Sequence, residues 1–284
     1  LYAATFKGLN SPQGIFVDEL ERIYIADTGN SQIVVLTKDY AVDLIIKEFV
    51  NGYGVPDSLG GPTGVFVTET EIFVADADKA RIVIFTKTGE FVAIVPQPES
   101  EVMTENHVYR PIAVAVDKAG RIYVVSSTDN YGVLSLNRDG SFNGYIGAQA
   151  VTYNFFDYFW RMFMTEQQLA ASEAYVPTEF NNLAIDPDGF LYVTTSSIDK
   201  ASAIQAIQSR SKDGKYAMVK KLNPSGSDVM NRYGLWPPGG EVSVMNENMK
   251  TADIKYVGPS VIVDVALGPD NTFSIIDTMR GKIF

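Results

Sequence analysis

Short apolar runs recur along the chain, each ended by polar or glycine-containing residues. Ile15-Phe16-Val17 is followed by the turn Asp18-Glu19-Leu20-Glu21, by Arg22-Ile23-Tyr24-Ile25-Ala26, and by a second turn, Asp27-Thr28-Gly29-Asn30. Ile33-Val34-Val35-Leu36 comes next, then Lys38-Asp39-Tyr40 and a last run from Val42 to Ile46. Short β-branched and aromatic runs between turn residues predict strands, and four in succession predict an antiparallel meander.

The meander repeats. Its openings at Pro12, Pro62 and Pro111 lie 50 and 49 residues apart. Its central run returns as Ile72-Phe73-Val74-Ala75-Asp76, Arg121-Ile122-Tyr123-Val124-Val125-Ser126, Phe190-Leu191-Tyr192-Val193-Thr194-Thr195 and Thr272-Phe273-Ser274-Ile275-Ile276-Asp277. A period of roughly 40–50 residues with four strands in each copy is the pattern of propeller blades. The expected fold class is therefore all-β, a β-propeller of four-stranded antiparallel blades with five repeats visible. Residues 1–284 read as one propeller domain, a fragment of a longer protein.

Three stretches interrupt the repeat. Residues 149–179 are rich in aromatic side chains. The spacing of Phe156, Phe159, Trp160 and Phe163 predicts a helical insertion after the third blade, and Thr165-Glu166-Gln167-Gln168 fits a capping box for a second helix. Residues 196–216 separate the second and third strands of the fourth repeat, whose third strand resumes at Met218. Residues 231–258 carry Trp236-Pro237-Pro238 and show no periodicity. The fifth repeat opens at Pro259 and reaches its third strand at Lys282-Ile283-Phe284.

Pro12-Gln13-Gly14-Ile15-Phe16-Val17, Tyr24-Ile25-Ala26-Asp27-Thr28-Gly29-Asn30 and Gln32-Ile33 together resemble an NHL repeat. The second copy keeps Pro62, Gly64, Ala75, Asp76, Arg81 and Ile82, whereas the third has Ser126 for the acid. The chain is similar to bacterial secreted or lipid-anchored NHL-repeat proteins with a helical insertion. That resemblance implies six blades. The sixth would lie beyond Phe284, or the strand Tyr2-Ala3-Ala4-Thr5-Phe6 would complete the last blade. It also implies an extracellular or cell-surface location.

Composition narrows the chemistry. Hydrophobic residues at 46% and charged residues at 20% suit a globular core. A net charge of −11 argues against a nucleic-acid partner, which needs Lys and Arg to neutralise phosphates. Lys212, Lys215, Lys220 and Lys221 form the one basic cluster and read as a solvated hairpin edge. The absence of cysteine excludes disulfides and thiolate chemistry. The single histidine, His107, excludes the histidine-rich zinc site of NHL-type amidating lyases. No apolar run approaches 18 residues, so no membrane span is expected within the chain.

No convincing catalytic set emerges. The leading reading is a non-enzymatic binding or scaffold propeller. It would recognise a protein or carbohydrate partner through loops on one face, with Tyr153, Trp160, Phe163, Trp236 and His107 as candidate binding residues and no cofactor. The alternative is a calcium-dependent, lactonase-like hydrolase with Asp27, Asp76 and Asp277 holding a metal in the channel. The competing structural reading of those acids is that an Asp at a turn bonds nearby backbone, and repeats because the turn repeats. That reading is preferred here. Asp117, Asp186, Asp188 and Asp270, with Gly120 and Gly189, read likewise as hairpin turns.

Overall fold

The computed structural model describes residues 8–99, 108–129, 131–147, 180–196, 217–231, 261–269, 272–279 and 281–284. These residues build an all-β propeller of five blades. Blade I contains β1 (Gly14–Val17), β2 (Ile23–Asp27), β3 (Gln32–Leu36) and β4 (Val42–Ile46). A separate hairpin follows, β5 (Glu48–Val50) and β6 (Pro56–Ser58). Blade II is β7 (Pro62–Val67), β8 (Glu71–Asp76), β9 (Arg81–Thr86) and β10 (Phe91–Val95). Blade III is β11 (Pro111–Val116), β12 (Ile122–Ser126), β13 (Val133–Leu136) and β14 (Phe142–Ile146). Blade IV shows β15 (Asn182–Ile185), β16 (Leu191–Thr194) and β17 (Val219–Leu222). Blade V shows β18 (Ile262–Leu267), β19 (Phe273–Asp277) and β20 (Lys282–Ile283). In every blade neighbouring strands are antiparallel and follow chain order.

The burial pattern explains why the central runs are continuously apolar. The middle strands of blades II and III have a neighbouring blade on each side, so alternation gives way to burial on both faces. All five residues of β12 are buried, as are five of the six in β8. Tyr24, Ile33, Val35, Ile72, Val74 and Phe85 fill the layer between blades I and II. Phe73, Ile84 and Val95 meet Val114, Ile122 and Leu134 between II and III. Ala113, Tyr123 and Val125 meet Leu183, Val193 and Leu222 between III and IV. Each fully buried Ile, Val or Phe contributes about 1.5–3 kcal/mol. Ring pairs bridge blades too: Phe16–Phe66 at 5.0 Å and Tyr192–Phe273 at 5.6 Å.

The tight turns take their expected form. Asp117 Oδ1 accepts the backbone N–H groups of Ala119 and Arg121, and Asp186 Oδ1 those of Asp188 and Phe190. Gly120 and Gly189 sit at φ +80° and +85°. Asp18 does the same work in blade I, with Glu21 at φ +59° where the other turns have glycine.

The basic cluster is corrected in part. Lys220 and Lys221 are not on a solvated edge; both lie in β17, with Lys220 buried. The Lys221 ammonium lies 3.2 Å from Asp186 Oδ2 and 4.6 and 4.8 Å from the Phe190 and Tyr192 ring centroids. Their aliphatic stems pack on rings while the charges find partners. The β5–β6 hairpin was not foreseen. The helical insertion, the closing strand Tyr2–Phe6 and a sixth blade are not among the described residues. Among those residues no helix is long and apolar enough to cross a membrane.

Candidate functional site

The first strands of successive blades pack against one another and form the inner ring. Their starting ends are tied together. Thr28 Oγ1 donates to Pro62 O at 2.7 Å, Thr63 Oγ1 to Pro111 O at 3.0 Å, and Asn181 Nδ2 to Ile262 O at 2.9 Å. All five inner strands therefore start at the same end of the propeller. The register places the second-to-third turn and the finish of the fourth strand there as well, because Ile33 pairs with both Ala26 and Ile46. The opposite end is built from short turns such as Lys118–Gly120, Thr88–Gly89 and Arg138–Gly140.

The recurring acid sits at the loop-bearing end and works inside its own blade. Asp27 Oδ1 accepts the Asn10 N–H at 2.6 Å, and Oδ2 accepts the Asn30 and Gln32 side-chain amides. Asp76 Oδ1 accepts the N–H groups of Gly60 (2.8 Å) and Gly61 (3.0 Å), and Oδ2 the Arg81 Nε (2.9 Å). Asp277 Oδ1 accepts the N–H groups of Val261 and Met279. In blade III Ser126 Oγ takes the Arg110 N–H at 3.1 Å. All three carboxylates are completely buried. Each fastens the backbone that leads into its own blade, and the structure does not bring Asp27, Asp76 and Asp277 together. Among the described residues no three His, Asp or Glu side chains converge to hold a metal.

The hairpin between blades I and II rises from the same end. Arg81 Nη1 reaches Asp57 Oδ2 at 2.7 Å and Lys79 Nζ reaches Asp57 Oδ1 at 2.9 Å. Arg81, backed by Lys79, holds the Asp57 carboxyl well below the usual range despite its partial burial. Phe49 stacks on Phe91 at 5.4 Å, and the Arg81 guanidinium lies 5.7 Å from the Phe49 ring centroid. The base is thus fixed, while Val50, Tyr53 and Val55 project from it, with Tyr53 93% exposed.

One inner-ring position departs from the pattern. The residue facing the last or penultimate position of the second strand is Gly14, Gly64, Ala113, Asn182 and Asp264 in the five blades. A Cβ at Gly14 would lie 2.5 Å from Thr63 O, and one at Gly64 2.8 Å from Ile112 O. Blades I to III therefore require a minimal side chain where adjacent inner strands touch. Blades IV and V instead place a polar pair there. Asn182 Nδ2 donates to Asp264 Oδ1 at 2.5 Å, and the Val265 N–H donates to the same oxygen at 2.7 Å. Partial burial raises the Asp264 carboxyl above its ordinary value, offset only in part by these two donors. The sequence held part of the signal: Pro12-x-Gly14 and Pro62-x-Gly64 become Pro111-x-Ala113, and at the register-matched positions of blades IV and V the proline is absent too.

His107, Tyr153, Trp160, Phe163 and Trp236 lie outside the described residues. The segments that carry them are bounded by described strands. Residues 100–107, 148–179 and 197–216 begin and end at strand termini of the loop-bearing end, and residues 232–260 finish there, before Val261.

Residues 9–36, which cover the first three strands of blade I, match the sequence profile of the NHL repeat. This is a β-propeller that carries an NHL repeat. Solved structures similar to this propeller include a streptogramin B lyase, at 9% identity and a TM-score of 0.51, covering 96% of this chain and 63% of the other. A catalytically inactive virginiamycin B lyase variant from Staphylococcus aureus, with quinupristin, matches at 13% and 0.51, covering 96% and 65%. Kuenenia stuttgartiensis hydrazine synthase matches at 12% and 0.50, covering 99% and 68%. The chain thus spans about two thirds of the length of each, and at these identities the likeness bears on fold alone. The comparison with curated proteins found no similar sequence. An NHL propeller suits a binding or scaffold role in general.

Proposed function

We propose that this NHL propeller is a non-enzymatic, extracellular or surface-attached scaffold that captures a protein or carbohydrate partner at its loop-bearing end. The observation that supports this is the asymmetry of the two ends. Residues 100–107, 148–179 and 197–216, and the β5–β6 hairpin with its exposed Tyr53, leave from the end where the inner strands start. The other end carries tight turns. Long segments on a rigid β-scaffold are where binding residues concentrate, because the scaffold positions them and tolerates their variation. The buried acids support a non-catalytic reading, since their oxygens accept bonds from their own blades.

The test is deletion of residues 149–173 with a short glycine-serine replacement. The expected result is an unchanged β-sheet circular dichroism spectrum and loss of partner capture, read by pull-down from the source organism and on a glycan array. Recovery of the same proteins or glycans by the deleted chain would sink the reading.

A further inference from the structure

The Asn182–Asp264 pair is a polar feature of the inner ring that the repeat does not demand. Asp264 Oδ1 is occupied by two donors, from Asn182 and from its own Val265 N–H. Among the described residues nothing donates to Oδ2, and no Lys or Arg forms an ion pair with this carboxylate. The group is partly buried and lies where three other blades have hydrogen or a methyl group. A partly desolvated carboxylate without a cation is costly, and several acids of this fold are paired with one: Asp18 with Arg22 and Lys87, Asp57 with Arg81 and Lys79, Asp117 with Arg121.

We propose that Asp264 and Asn182 form a subsite for a singly charged organic cation with N–H donors, a primary ammonium or a guanidinium, at the loop-bearing end of the inner ring. Charge and donor count select this class. The site offers one negative charge and one open carboxylate oxygen, which a monocation matches through a charge-assisted hydrogen bond. Asn182 Oδ1, engaged by the Leu183 N–H at 2.7 Å, has a second lone pair for a further donor. Calcium prefers six to eight oxygens and more than one carboxylate, and among the described residues Asp264 belongs to no group of three or more acids or histidines. The net charge of −11 favours a cation at long range. The inference stands independently of partner capture by the long segments.

The experiment is calorimetric titration of the full chain at pH 7 with butylammonium, methylguanidinium, tetramethylammonium and calcium. Tetramethylammonium carries the charge but no N–H donor. The expected result is saturable 1:1 binding of butylammonium or methylguanidinium, weakening as the pH is lowered and the carboxylate protonates, and none of tetramethylammonium. Asp264→Asn, nearly isosteric, should weaken binding about tenfold or more while keeping the wild-type circular dichroism spectrum. Asn182→Ala should weaken it less, which keeps the proposal testable if one variant fails to fold. Absence of saturable binding, equal binding by Asp264→Asn, equal binding of tetramethylammonium, or binding of calcium alone would each overturn it.

Discussion

Asp76→Ala separates a structural staple from a metal ligand. In the folded chain Asp76 is fully buried, and its Oδ1 is the acceptor for the Gly60 and Gly61 N–H groups, with Arg81 on Oδ2. Truncation orphans two backbone donors at the start of blade II, and each buried donor without an acceptor costs about 1–3 kcal/mol. Arg81 keeps Asp57, so its charge is not stranded. The total is about 2–6 kcal/mol. At a urea slope of about 3 kcal/mol/M, the unfolding midpoint should fall by about 0.7–2 M. Asp76→Asn keeps Oδ1 but turns an NH2 toward Arg81 Nε, so a smaller loss of about 1–3 kcal/mol is expected. Both losses should be the same with calcium or with chelator. If Asp76 instead held a channel metal, calcium would raise the wild-type midpoint and the variants would lose that increment. An Asp76→Ala midpoint within about 0.5 kcal/mol of wild type, or a calcium-dependent loss, would refute the staple.

Stability should decline in acid. Asp18 is held below the ordinary carboxylate range: burial opposes this, but the Arg22 N–H and the Lys87, Arg22 and Tyr24 side chains outweigh it. Asp57 is lowered too, by Arg81 above all, and at Asp117 burial is again outweighed, by the Arg121 N–H and side chain and by Tyr123. For such acids the stabilisation is complete above the unfolded value of about 4 and is lost as the pH falls through the folded values. Urea midpoints should therefore drop as the pH falls from about 5 to about 2.5, and an unchanged midpoint there would contradict the pairing. Asp264 has the opposite sign, since its raised value makes ionisation unfavourable to the fold; Asp264→Asn should be neutral or stabilising at pH 7 in the same assay. Gly64→Ala should cost about 1–3 kcal/mol, because its Cβ would meet backbone of blade III at 2.8 Å. Gly120→Ala, in open space at φ +80°, should cost about 1 kcal/mol, and thermal melts that reverse this order would show that the inner strands have room.

The propeller was legible because its constraint is local and repeated. The middle strands of blades II and III are covered on both faces, so Ile72 to Ala75 and Ile122 to Val125 are unbroken apolar runs with turn residues on either side. The turn role of Asp117 and Asp186 was legible for the same reason, since an Asx bond reaches only two to four residues. Contacts between blades were not legible. Lys220 and Lys221 looked solvated because charge in sequence says nothing of the rings opposite, and the partners of Lys221 lie about thirty residues away. The β5–β6 hairpin escaped notice because its strands are three residues each, too short for periodicity, and Pro56 weakens the strand signal.

The same logic says where function can sit in a repeat fold. Gly14 and Gly64 are fixed by backbone approaching within 3 Å of a would-be side chain, so those positions cannot carry chemistry. Asp27, Asp76 and Asp277 are fixed by the backbone donors they accept, so their oxygens are already committed. A residue becomes available only where the repeat stops demanding something of it. Around the inner ring this happens once the register position held by Gly14, Gly64 and Ala113 passes to Asn182 and Asp264. On the outside it happens where the connections lengthen. Both departures fall at the end where the inner strands start, and both are strongest after blade III. Relaxed packing and added polarity at one place are what a ligand-bearing end needs, and a uniform ring would offer neither.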